Sequence, residues 1–197
     1  MIKRVVLVSL ILISSFFLFS CAAAFTQKHL NEAERLERKG DRLAANNEYI
    51  RALRGVSDNK LRSEICKKIG INYSKSRKFS EAIKYLRLSV DYGNFAGIPS
   101  PYPELADAYM SNGQPGAAGA LIDELDRKMP PAYLESEMAI SKVLGSYYLQ
   151  IKDYGLAEHY YNLYKDLAAK KGNNELAKQT ESQLLTIKKL RAKASRR

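Results

Sequence analysis

Three observations predict an all-α fold, an α-solenoid of about four helix pairs. Small and aromatic residues recur in register along the chain, the apolar residues follow helical spacing, and glycine and proline gather between the recurring blocks. Taking the small residue as an anchor, the register reads Ala33, Gly70, Ala106 and Gly145. Three residues on stand Leu36, Tyr73, Tyr109 and Tyr148, and twelve on stand Ala45, Ala82, Ala118 and Ala157. Sixteen on come Tyr49, Leu86, Ile122 and Tyr161. Small residues are needed where two antiparallel helices approach to about 8–10 Å, because a long side chain has no room there. The larger residues then fill the grooves on either side.

The block from Leu144 to Tyr164, LGSYYLQIKDYGLAEHYYNLY, resembles the L-G-x2-Y…A-x3-F pattern of the tetratricopeptide repeat (TPR). The resemblance covers about residues 30–170 and implies four repeats at about 27–54, 60–92, 103–128 and 138–170. The anchors are 37, 36 and 39 residues apart, longer than the usual period of about 34, so the extra residues are expected between repeats. Glu32 departs from the apolar residue that precedes the anchor elsewhere (Ile69, Leu105, Leu144), and only the third repeat has the closing proline, Pro130. An ordinary bundle whose heptads mimic a repeat is the alternative. Recurrence of alanine, tyrosine and glycine in register, rather than of generic leucines, argues against it.

The first twenty residues stand apart. Lys3 and Arg4 precede an apolar run from Val5 to Phe19, which is short of the ~20 residues a membrane span needs and reads as a secretory signal. Leu18-Phe19-Ser20-Cys21 resembles the bacterial lipobox, with Phe19 bulkier than that family's usual residue. The resemblance implies lipidation at Cys21 and a bacterial TPR lipoprotein, with Ala22 compatible with export to the outer membrane. Cleavage after Ala24, at an A-x-A site, is the competing reading. On the lipoprotein reading residues 21–26 form a short tether, the repeats start near Gln27, and the domain faces the periplasm.

The remaining elements follow in order. Gly40 marks the turn of the first repeat, and Gly55 to Asn59 link it to the second. Cys66 lies four residues before Gly70, on a core-facing position, and is expected to be a buried small hydrophobe. From Tyr92 to Pro103 three prolines and two glycines predict a break in the helix. Its aromatics, Tyr92, Phe95 and Tyr102, would either bind a partner or fold back to plug the gap between repeats. Gly113-Gln114-Pro115-Gly116 turns the third repeat, Met129-Pro130-Pro131 ends it, and a helical approach from Ala132 enters the fourth. Residues 173–197 read as a capping helix and a basic tail, with Leu176, Ala177, Thr180, Leu184, Ile187 and Leu190 as its apolar stripe.

The formal net charge is +11, and +9 without Lys3 and Arg4. Such a balance favours acidic surfaces: phospholipid, lipopolysaccharide, nucleic acid or an acidic protein. No nucleic-acid recognition motif is present, and an exported, tethered protein fits that partner poorly. The tail residues Lys188, Lys189, Arg191, Lys193, Arg196 and Arg197 would touch an acidic surface or stay solvated. No catalytic constellation is found. His29 and His159 lack a ligand set, no phosphate loop follows a strand, and the carboxylates sit among lysines and arginines. Neither enzyme activity, cofactor nor metal is expected.

In the TPR family the first helix of each repeat lines a concave binding face. That resemblance implies Leu30, Glu34, Lys67, Ile71, Lys75, Asp107, Lys142, Ser146 and Gln150 as candidates, for a peptide or simply as a hydrated groove. The family's carboxylate clamp, a lysine followed one turn later by asparagine, is not matched, since Ile71 follows Lys67 and Ser146 follows Lys142. The expected function is a non-enzymatic envelope scaffold that binds a peptide or loop of another envelope protein. It looks like the repeat lipoproteins of outer-membrane barrel insertion or type IV pilus secretin assembly, with a shorter array. A periplasmic ligand-binding module associated with a transporter, or an adaptor for cell-wall hydrolases, are the rivals.

Overall fold

The computed structural model describes residues 23–96, 101–128 and 133–196, and these form helices and turns. The signal segment, Cys21, the closing Met129-Pro130-Pro131 and Arg197 lie outside the described residues. Contacts divide the chain between residues 98 and 99 into two compact units. The first contains α1 (23–38), α2 (Arg42–Leu53), α3 (Asn59–Lys75) and α4 (Phe79–Ala96). The second contains α5 (Tyr102–Ser111), α6 (Pro115–Lys128), α7 (Leu134–Gln150), α8 (Tyr154–Lys170) and α9 (Asn174–Ala194). Within each unit, helices that follow one another in sequence pack together, and in the second unit α5 also packs against α7.

The repeating residues are the ones that make this packing. Ala45, Ala82, Ala118 and Ala157 are all fully buried, as are the anchors Ala33 and Ala106. A Cβ added to Gly70 would lie 2.5 Å from Leu86 Cγ, and one added to Gly145 would lie 2.9 Å from Tyr161 Cδ2. The anchor glycines therefore receive the large residue sixteen positions on, as the register requires. Around these contacts cores form, two of them wholly among the described residues. One joins Ala33, Ala45, Tyr49, Val56, Ile65 and Ile69, and the other joins Met138, Ala157, Tyr161, Tyr164, Leu184 and Ile187. Cys66 is buried and unpaired to any described cysteine, and its burial pushes the thiol up to about 11.

The turn inside each helix pair is the same in all four repeats. Seven residues after the anchor the backbone is left-handed: Gly40 (φ 83°), Arg77 (58°), Gly113 (73°) and Lys152 (65°). The next N–H closes a six-residue loop onto the preceding helix: Asp41 to Leu36 O, Lys78 to Tyr73 O, Gln114 to Tyr109 O and Asp153 to Tyr148 O, at 2.9–3.0 Å. This is the Schellman closure, which satisfies carbonyls that the helix end leaves orphaned. Asp41, Asp58, Asp153 and Asn173 then cap the helices that follow by accepting from the N–H three residues on.

Two expectations about element ends need correction. Residues 23–26, expected to belong to the tether ahead of a helix starting near Gln27, are already helical among the described residues. Helix α4 runs through Gly93 to Ala96 instead of stopping at Tyr92. A single glycine costs a helix only about 1 kcal/mol, and Gly93 is buried within α4. Tyr92 and Phe95 are consequently helical positions, with the Tyr92 ring beneath Arg62 at 5.4 Å. Tyr102 opens α5, is fully buried and lies edge-on to Tyr133, so it packs inward rather than offering an anchor to a partner.

Candidate functional site: an open groove on α5 and α7

Four of the nine concave-face candidates meet in one place. Asp107 from α5 and Lys142, Ser146 and Gln150 from α7 line an open groove of about 700 Å³ together with Met110, Ser111, Val143 and Tyr147. Spacings of four residues on α7 put Lys142, Ser146 and Gln150 on one ridge. The sequence reading missed Val143 and Tyr147, which form the adjoining ridge, and Met110 and Ser111, one turn beyond Asp107. Helical periodicity alone points to them once the face is known, since an exposed stripe is wider than a single row of residues.

The groove carries opposite charges that are not spent on each other. Asp107 and Lys142 are exposed and make no ion pair with any described residue. Surrounding protein raises the Asp107 carboxyl above the usual carboxylate range, and the neighbouring Glu104 charge adds to the effect. Ser146 is exposed in the groove, and its Oγ lies 3.1 Å from the Tyr161 hydroxyl. Tyr147 lies edge-on to Tyr148, which stacks on Tyr160 at 5.6 Å. The aromatic wall is thus braced from behind by a second and a third tyrosine, which limits the freedom lost when something binds against it.

In the first unit the candidates are placed differently. Glu34 is tied to Lys68 at 2.8 Å, and that bond holds its carboxyl below the ordinary value. Leu30 instead lines a hollow of about 280 Å³ with Ala23, Thr26, Val56 and Leu61. Ile71 and Lys67 are half-buried, and Lys75 is exposed at the last turn of α3. Of the histidines, His29 meets Glu48 at 2.5 Å and packs against Phe25, whereas His159 lies edge-on to Tyr160. Among the described residues no cluster of three or more metal-ligating side chains occurs.

No family model matches the chain, and no curated protein matches it. Among solved structures it is similar to YrrB, described as a TPR protein with an unusual peptide-binding site, at 14% identity and a TM-score of 0.44, covering 86% of this chain and 91% of that one. It is also similar to the TPR-like repeats of a putative kinesin light chain from Podosopora anserina, at 16% identity and a TM-score of 0.44, over 82% and 94% of the two chains. A variant form of that protein gives 17% identity and a TM-score of 0.45, over 87% and 96%. At these identities no binding residue transfers to this chain, whose TPR-like character stands on its own buried register and repeated turns.

Proposed function

We propose that this chain is a non-enzymatic TPR-like scaffold that holds a peptide or loop of another protein in the groove on α5 and α7. One observation carries the reading: an open groove walled by Tyr147 and Val143 presents Asp107 and Lys142, each unpaired among the described residues, on facing first helices of two repeats. An extended segment brings backbone polar groups and charged side chains together, and this surface has a counterpart for each. Because the groove is open, it suits a segment running through it better than a small ligand that must be enclosed.

We further place the scaffold at the cell envelope, lipid-anchored through Cys21 and facing the periplasm, where it would help assemble or position an outer-membrane complex. The charged start, the short apolar run and the cysteine directly after it support this address. Several acyl chains, at about 0.8 kcal/mol per buried CH₂, would make such an anchor effectively permanent.

A photo-crosslinker at Gln150 in living cells tests the groove. The expected result is one dominant envelope-protein adduct that Lys142→Glu abolishes. An adduct pattern indifferent to Lys142→Glu would remove the groove from consideration. The address is tested separately: Cys21→Ala should lose the lipid mass and leave the membrane fraction, and retention of both would overturn it.

A further inference from the structure

We propose that the α7–α8 turn and the C-terminal end of α9 form a docking surface for the anionic headgroups of a phospholipid membrane. This surface shares no residue with the groove and does not depend on the peptide reading. At its centre is a notch of about 370 Å³ lined by Lys152, Tyr154, Leu190, Lys193 and Ala194. Its lining combines two lysines with tyrosine, leucine and alanine.

The positive charge of the notch is not cancelled by its neighbours. Asp153, which caps α8 by accepting from Leu156 N at 3.1 Å, keeps its charge beside Lys152, but the basic side chains Lys152, Lys188, Arg191 and Lys193 outnumber Asp153 and Glu158. Glu158 is shared between Arg191 at 2.9 Å and Lys188 at 3.8 Å. Lys152 and Lys193 pair with no described residue. Charge is also segregated along this half of the chain: residues 101–187 hold twelve carboxylates against eight basic side chains, whereas residues 188–197 hold six basic side chains and no acid. Within the unit, an anionic surface is attracted to this end and not to the rest.

Apolar exposure at the same place points to a membrane rather than to free phosphate. Ile151, next to Lys152, is 53% exposed, and Leu190 in the notch is 38% exposed. Tyr154, the first residue of α8, lines the notch with Leu190 and Lys193, so the start of α8 and the end of α9 meet there without covering Leu190. Large side chains flanked by lysines suit the boundary between headgroups and acyl chains, where both kinds of contact are made at once. A free phosphate has no use for Ile151 and Leu190.

The full chain reconstituted into vesicles tests this by lysine acetylation read by mass spectrometry. Vesicles of phosphatidylcholine alone are compared with vesicles that also contain phosphatidylglycerol, with Lys60 and Lys170 as reference sites. Lys152 and Lys193 are expected to label several-fold more slowly on the anionic vesicles only, and added salt should reverse the protection. Equal labelling on the two membranes would overturn the proposal. So would protection produced by inorganic phosphate or polyglutamate on neutral vesicles but not by phosphatidylglycerol.

Discussion

At the scale of single residues, the turn positions show how a repeat hides its own pattern. Gly40 and Gly113 announce a left-handed turn because glycine adopts that backbone freely. Arg77 and Lys152 occupy the same position in the other two repeats, and nothing in either side chain announces it. Only alignment to the anchors, Gly70 and Gly145, makes them legible. A non-glycine residue there costs roughly 1–2 kcal/mol, so Arg77→Gly should raise stability by about 1 kcal/mol in urea unfolding. Gly70→Ala should do the opposite by about 1–3 kcal/mol, since its Cβ would overlap fully buried Leu86. Cys66 yields a prediction of a different kind. Burial raises its folded-state pKa from an ordinary 9.0 to about 11, so the neutral thiol's contribution to stability is complete below pH 9 and is lost as pH rises towards 11. Cys66→Ala should flatten the fall in stability across that window, measured by urea unfolding at a series of pH values.

At the scale of elements, α9 shows which part of an apolar stripe is used. The spacing from Leu176 to Leu190 reads as one continuous face, yet Thr180, Leu184 and Ile187 are buried while Leu190 is not. Periodicity identifies a face but not how deeply each position on it is covered, and Leu190 lies at an open notch. Leu184→Ala should cost about 2–5 kcal/mol by opening a cavity in the core shared with Ile187 and Tyr164. Leu185→Ala, one residue on and 57% exposed, should change stability by under about 0.5 kcal/mol. Thermal unfolding of the pair separates a capping helix from a solvated one. Helix ends are the least legible feature for a related reason. Gly93 reads as a stop and Gln27 as a start, but a helix ends where its packing and capping end, and neither is written in one residue.

At the scale of the whole molecule, fold and binding surface are legible to different degrees because they have different causes. The fold rests on repeated close approaches, which force small residues into register and therefore leave a trace four times over. The groove rests on side chains that occur once, and family position finds its polar ridge, Lys142, Ser146 and Gln150, but not the apolar ridge beside it. Placing both surfaces in the second unit also leads to a quantitative expectation. Lys142 and Lys152 are ten residues apart along α7 and its turn, about 15 Å at helical rise. Perturbations separated by more than about 7–10 Å without shared partners add within roughly 0.5 kcal/mol. No residue lines both the groove and the notch. If the groove holds a protein segment and the notch meets lipid, Lys142→Glu should lower the Gln150 crosslink by the same factor with or without Lys152→Glu and Lys193→Glu. Vesicle protection of reference-corrected Lys152 and Lys193 should in turn be unchanged by Lys142→Glu. A crosslink already lost in the Lys152→Glu, Lys193→Glu protein would mean that one partner spans both surfaces, and the division of labour argued for this unit would fail.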